Sequence, residues 1–170
     1  MPPSPPPDIK ALVRALAERR IEFVVIGGVS AAMQGVPATT YDLDIVLDPD
    51  SANLDRAHAL LAELEACFRE HLPSRRIVLE RDHLEAPGAK LLMTRLGPLD
   101  ILSQLATQWR FADLISRVRT VKLSENLQVR VLDLAALIEV KERIGREKDQ
   151  AVLPLYRRTL SERDRARAED

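Results

Sequence analysis

Two kinds of apolar spacing alternate along the chain. In some segments apolar residues recur every three or four positions, which is typical of a helix that packs by one face; in others they form short runs or alternate with polar residues, as in strands. The helical segments are 9–17, 29–33, 51–68, 105–121 and 133–160. The strand-like segments are 21–26, 42–47, 76–79, 90–95, 99–102, 121–123 and 129–131. This order predicts an α/β (α+β) protein in which helices flank a mixed β-sheet.

The step from the first strand into the next helix carries the first chemical signal. Gly27 and Gly28 follow the apolar strand and permit a sharp turn into a helix that starts near Val29. Free main-chain amides and the helix dipole at such a turn attract anions, and a glycine leaves room for close approach. We therefore expect Gly27, Gly28 and the amides near Ser30 to bind phosphate.

A pair of carboxylates follows shortly after this turn. Asp42 and Asp44 alternate with the apolar Leu43 and Ile45, so in a strand the two acids share one face about 7 Å apart. Neighbouring carboxylates repel each other and need solvent, a basic partner or a cation. Because both ligands are oxygens, the pair suits a hard divalent ion, Mg²⁺ or Mn²⁺.

The glycine turn and the paired acids together resemble the signature of a known family. Gly27, Gly28, Asp42 and Asp44 match, position for position, the pattern of the nucleotidyltransferase superfamily, which shares its fold with DNA polymerase beta. The chain is most similar to the small bacterial branch of abortive-infection (AbiE-type) toxins. Many members of that branch carry Arg-x-Thr before the carboxylates, whereas this chain has Ala38 in place of the arginine.

The resemblance implies a fold, an activity and partners. The fold would be the polymerase beta-like nucleotidyltransferase fold, and the activity would be metal-dependent transfer of a nucleoside monophosphate from a nucleoside triphosphate such as ATP. The acceptor hydroxyl would belong to tRNA or to a protein. An antitoxin partner would follow if the chain is the toxin of a toxin–antitoxin pair.

The family pattern asks for a third carboxylate on a later strand, and Asp100 is the candidate. It lies between Leu99 and Ile101, so a short buried strand would place a lone acid in the sheet. That arrangement is costly unless the acid is paired or binds metal. The alternative is a turn role, because Asp100 closely follows Gly97 and Pro98.

A second set of charges lies in the C-terminal helical segment. Lys141 interrupts its apolar stripe, and steps of four lead through Gly145 to Asp149. The two groups can form a structural salt bridge or clamp a nucleotide, with Arg146 and Lys148 adding positive charge. The resemblance favours the clamp, because related toxins often carry a lysine in this helix and a Lys-Asp step like Lys148-Asp149. A break at Gly145 would alter the simple one-helix geometry.

Composition limits the remaining possibilities. The 170 residues suffice for one domain, and 25 Lys plus Arg against 26 Asp plus Glu give no overall field that would attract nucleic acid. The single cysteine, Cys67, fits a core position and a reducing cytoplasm, and no apolar stretch reaches membrane-spanning length. We expect a flexible proline-rich tail at 1–7, a nucleotidyltransferase domain at 8–160 with 133–160 as its C-terminal helical part, and a charged tail at 161–170.

Two other functions remain open at this stage. A domain of this fold could bind a nucleotide or a partner without turnover. The absence of the arginine, which is replaced by Ala38, is consistent with this alternative. A glycosyltransferase also uses Asp-x-Asp to hold a metal and the pyrophosphate of a nucleotide sugar, although the nearby Gly-Gly turn favours nucleotidyl transfer. Calcium binding by Asp48 and Asp50 is disfavoured, because no twelve-residue loop with a closing glutamate follows them.

Overall fold

An eight-stranded mixed sheet organises the chain in the computed structural model, which describes residues 6–71 and 74–169. Most of the expected proline-rich tail therefore lies outside the described residues. The helices are α1 (Ile9–Glu18), α2 (Gly27–Met33), α3 (Ser51–Glu63), α4 (Arg81–Glu85), α5 (Phe111–Leu114), α6 (Leu134–Ile144) and α7 (Glu147–Glu169). The strands are β1 (Phe23–Ile26), β2 (Leu43–Leu47), β3 (Cys67–Phe68), β4 (Ile77–Val78), β5 (Lys90–Thr94), β6 (Gly97–Leu102), β7 (Val118–Ser124) and β8 (Leu127–Leu132). Single 3-10 turns are formed by Arg69–His71 and Ile115–Arg117.

The sheet has the strand order β4-β3-β5-β6-β2-β1-β8-β7. Strand β1 pairs antiparallel with β2 and parallel with β8, while β2 pairs parallel with β6. This register sets Ile26 opposite Asp44 and Asp44 opposite Asp100. The predicted mixed sheet with flanking helices is confirmed.

Helices cover both faces of the sheet and form two apolar cores. On one face α1, α3 and α4 pack against inward residues such as Val25 and Ile45. On the other face α5, α6 and α7 pack against Val24, Val46 and Leu132. Side chains alternate between the faces along each strand, so Asp44 and Asp100 project on the same face as the second core. No helix in the described part of the chain is long and apolar enough to cross a membrane.

The third helix ends earlier than its apolar stripe predicted. The sequence pattern ran through Phe68, but α3 ends at Glu63, and Glu65 adopts a left-handed conformation with φ 56°. Cys67 and Phe68 then pair with β4 and β5 as strand β3, with Cys67 buried as expected. Backbone pairing with two neighbouring strands therefore outweighs the helical spacing.

Three other segments differ from their predictions. The segment 105–121 is not one helix, because only the short α5 and a 3-10 turn form before β7 begins at Val118 and pairs with β8. The segment 133–160 is two helices, since Gly145 ends α6 in a left-handed conformation with φ 65°. The charged segment that we expected as a tail from Ser161 continues α7 as helix to Glu169.

Candidate functional site

Three carboxylates converge where β1 ends and β2 begins. Ligand oxygens of Asp42, Asp44 and Asp100 all lie within 4.8 Å of one another. Asp44 and Asp100 are adjacent because β2 and β6 pair in parallel register, and Asp42 lies in the bend directly before β2. The predicted convergence of these three acids is confirmed, and three clustered oxygen ligands fit a hard divalent cation.

The first glycine of the turn leaves space for this cluster. Gly27 has φ 66°, a conformation that other residues adopt with strain, and a Cβ built on it would overlap the carboxylate of Asp44. A Cβ on Gly28 would lie 3.1 Å from the hydroxyl of Thr40. The two glycines therefore let the turn pack tightly against the carboxylates and the loop that precedes them.

The electrostatics of the cluster show a deficit of positive charge. Burial, followed by the negative charges of Asp42 and Asp100, raises the pKa of Asp44 to about 7, although Arg69 and Lys141 oppose the shift. Burial also raises the pKa of Asp100, although two hydrogen bonds from Arg69 act in the opposite direction. A divalent cation at this position would relieve the repulsion and favour the ionised form of Asp44.

Arg69 is a member of the site that the sequence did not reveal. Its Nη1 donates to Oδ1 of Asp100 at 2.6 Å and its Nη2 donates to Oδ2 at 3.0 Å. Strand β3 positions Arg69 here, because Arg69 directly follows Phe68, the last residue of β3, and begins the 3-10 turn. The apolar spacing predicted that this segment ends a helix, so no signal linked Arg69 to the carboxylates.

The charged residues of the C-terminal helices form a second cluster. Nζ of Lys141 donates to Oδ1 of Asp149 at 3.0 Å, and Nε of Arg146 donates to Oδ2 at 2.7 Å. Burial of Asp149 opposes its ionisation, but the hydrogen bonds and charges of Arg146 and Lys141 outweigh burial and lower its pKa. The left-handed Gly145 joins the two helices and allows these groups to meet. Lys141 and Asp149 thus form the salt bridge that the sequence analysis offered as the alternative to a nucleotide clamp.

One cavity of about 680 Å³ connects the two clusters. Its lining includes every candidate residue from the sequence except Ser30: Gly27, Gly28, Asp42, Asp44, Asp100, Lys141, Arg146, Lys148 and Asp149. Arg69 and Tyr156, neither of which was a candidate, also line it. Ser30 is fully buried and its hydroxyl donates to the carbonyl oxygen of Leu132 at 2.8 Å. Ser30 therefore does not line the cavity, and its hydroxyl is already used within the fold.

The raised pKa of Asp44 leads to a prediction about stability. The folded-state pKa of about 7 lies above the unfolded value of 3.8, so the metal-free protein should lose stability as pH rises between these values. Asp44→Asn should remove this loss and raise the free energy of unfolding by about 2 kcal/mol at pH 8, after allowance for solvent screening. Denaturant unfolding in a chelator at pH 4 and pH 8 measures the effect. Equal stability of the variant and the wild type at pH 8 would contradict the raised pKa.

The pairing of Arg69 with Asp100 leads to a prediction about metal affinity. The guanidinium competes with a cation for both oxygens of Asp100 and repels it, so Arg69→Met should bind Mn²⁺ roughly tenfold more tightly than the wild type. Titration calorimetry without nucleotide measures this affinity. Arg14→Met is the matched control, because Arg14 is exposed on α1, against the opposite face of the sheet. Weaker Mn²⁺ binding by Arg69→Met would instead show that the arginine holds Asp100 in place for the metal.

Comparisons with known proteins support the fold. No protein-family model and no curated protein matches the sequence. Among solved structures, the crystal structure of a candidate nucleotidyltransferase from Thermotoga maritima is similar, with 19% sequence identity, coverage of 91% of each chain and a TM-score of 0.52. At this level of identity the likeness shows a shared fold, and the nucleotidyltransferase fold expected from the sequence is the fold observed.

Proposed function

We propose that this protein is a metal-dependent nucleotidyltransferase, which moves a nucleoside monophosphate from a nucleoside triphosphate to an acceptor hydroxyl. The observation that carries the proposal is the convergence of Asp42, Asp44 and Asp100 within 4.8 Å on one wall of a cavity that also contains Lys141 and Arg146. A cavity of about 680 Å³ is of the size that binds a small molecule such as a nucleotide. Nucleotidyl transfer needs both acidic side chains that bind metal and positively charged side chains that bind phosphate.

The three aspartates would hold Mg²⁺ or Mn²⁺. The bound metal would polarise the α-phosphate and lower the pKa of the attacking hydroxyl. The first turn of α2 has no side-chain cap, so the amides that follow Ile26 are available to the phosphates at the Gly27-Gly28 turn. Lys141, which lies on the same cavity, would neutralise charge on the triphosphate.

The cationic residues would then orient the substrate for displacement. Arg146 and Lys148 line the cavity beside Lys141, and the side chain of Arg146 is 55% exposed, so it can reach a bound phosphate. The acceptor oxygen would attack the α-phosphate in line, and pyrophosphate would leave. Positioning and charge neutralisation would supply most of the rate.

The finer assignment follows the sequence resemblance. We propose that the chain belongs with the AbiE-type toxin nucleotidyltransferases and acts in a toxin–antitoxin pair, with tRNA or a protein hydroxyl as the acceptor. Gly27, Gly28, Asp42 and Asp44 support this placement, and Ala38 departs from it. A neighbouring antitoxin gene, whose product restores growth when the two are expressed together, would support the toxin role.

A second candidate function is nucleotide binding without turnover. One observation favours it: Arg69 engages both oxygens of Asp100, the acid that would complete a second metal site. The two functions differ in whether label from a nucleoside triphosphate is transferred to an acceptor.

The proposal predicts metal-dependent labelling that depends on the aspartates. The protein is incubated with each α-labelled nucleoside triphosphate, Mg²⁺ and a cell extract, and the labelled acceptor is identified. Asp42→Asn and Asp44→Asn should each reduce transfer roughly 100-fold or more, because each removes a metal ligand. Asp82→Asn is the matched control, since Asp82 is exposed on α4. Nucleotide binding that requires the aspartates, without labelling of any acceptor, would favour the second function.

The pairing around Asp149 predicts the behaviour of Lys141→Met. Arg146 remains bonded to Asp149 in this variant, so the loss of stability should be about 1–2 kcal/mol, below the 3–5 kcal/mol typical of a buried charge left unpaired. Transfer should fall at least about tenfold, because the triphosphate loses a neutralising charge. Denaturant unfolding and the labelling assay test the two effects separately. Unchanged transfer in the folded variant would exclude Lys141 from nucleotide binding.

A further inference from the structure

Tyr156 connects the apolar core to the cavity between the two charged clusters. The residue lies on α7 and is only 3% exposed, and its ring belongs to the apolar cluster on the side of the sheet covered by α6 and α7. Nζ of Lys141 lies 5.5 Å from the centre of the ring. Tyr156 also lines the cavity that contains the three aspartates. Its ring is therefore fixed by packing while its polar end is near the site.

The hydroxyl of Tyr156 has no hydrogen-bond partner within residues 6–71 and 74–169. Among the described residues, the fully buried polar side-chain atoms without a partner belong to Thr107 and Arg163, so the Tyr156 hydroxyl is open to the cavity. No group in the described part of the protein therefore occupies this donor. Because the residue lines the cavity, a ligand bound there can accept a hydrogen bond from it.

The charged groups around the Tyr156 hydroxyl indicate which kind of ligand group it can bind. Burial raises the pKa of the Tyr156 phenol, and the negative charges of Asp149 and Asp44 raise it further. The phenol is therefore protonated near neutral pH and available as a hydrogen-bond donor. Lys141 and Arg146 on the same cavity wall attract anionic oxygens. An anionic acceptor beside a lysine matches a phosphate group.

We infer that the hydroxyl of Tyr156 donates a hydrogen bond to a phosphate oxygen of the bound nucleoside triphosphate. This inference rests on the proposed function, since it deepens the description of the same site. Tyr156 would recognise the phosphate chain instead of the base or the ribose. It would also hold the phosphate chain of the nucleotide near Lys141, because Tyr156 and Lys141 lie close together on the same cavity.

Two probes and one substitution test the inference. Titration calorimetry with ATP and with inorganic tripolyphosphate, each with Mg²⁺, compares a nucleotide with a phosphate chain that lacks base and ribose. Tyr156→Phe should weaken both probes about equally, by roughly five- to tenfold, the effect of one lost hydrogen bond. The variant without ligand should melt at the same temperature as the wild type or higher, because the removed hydroxyl has no partner in the fold.

The second tyrosine of the chain gives a matched control. Tyr41 is 73% exposed, so Tyr41→Phe removes a hydroxyl that water already satisfies and should change neither affinity. Equal losses in Tyr41→Phe and Tyr156→Phe would contradict a specific contact. A lower melting temperature for ligand-free Tyr156→Phe would assign the hydroxyl a structural role and overturn the inference.

The probes also separate this inference from the proposed function. If the wild type binds neither probe, or if Asp42→Asn/Asp44→Asn binds both as tightly as the wild type, the proposed metal–triphosphate site fails. If wild-type binding requires the aspartates but Tyr156→Phe binds both probes normally, the inference alone fails. Weakened ATP binding with unchanged tripolyphosphate binding would place the contact on the nucleoside and overturn the phosphate assignment.

Discussion

Repulsion among three carboxylates is the constraint on which the site depends. Strand pairing holds Asp44 and Asp100 side by side on a sheet face that is otherwise apolar, and Asp42 joins them from the bend before β2. Burial makes the ionisation of Asp44 and Asp100 costly. Arg69 partly compensates by pairing with Asp100, and Lys141 contributes a favourable field at Asp44. The pKa of Asp44 nevertheless stays near 7, so the protein's own cations do not supply all the charge that the cluster needs. A divalent cation fits that need.

The register of the central strands brings the carboxylates together. Strand β2 lies between β1 and β6, and a slip of one residue in either pairing would turn Asp44 toward the opposite core. Apolar residues pack on both faces of these central strands, so such a slip would bury the acid in the opposite core and turn Ile45 toward the cavity. Gly27 completes the arrangement, because any larger residue would overlap the Asp44 carboxylate. The same contacts that stabilise the sheet therefore position the acids.

The sequence predicted the parts of the site that local spacing determines. Asp42 and Asp44 alternate with apolar residues, and the glycine turn precedes a helix, so their placement follows from strand and turn geometry. Arg69 was missed because helical spacing through Phe68 concealed a strand that forms by pairing with β4 and β5. Tyr156 was missed because its place on an apolar stripe gave no sign that its hydroxyl lacks a partner. The predicted helix over 105–121 was wrong because β7 begins already at Val118 and pairs with β8 as a hairpin, and helical spacing did not show where this strand begins.

The most direct test of this account is the location of a bound metal. Crystals grown with Mn²⁺ and a non-hydrolysable nucleoside triphosphate analogue would show the metal by its anomalous scattering. The account predicts at least one Mn²⁺ bound by oxygens of Asp42 and Asp44 at about 2.0–2.3 Å, with the phosphates on the side of Lys141. Mn²⁺ bound elsewhere, or a triphosphate bound away from these aspartates, would contradict it.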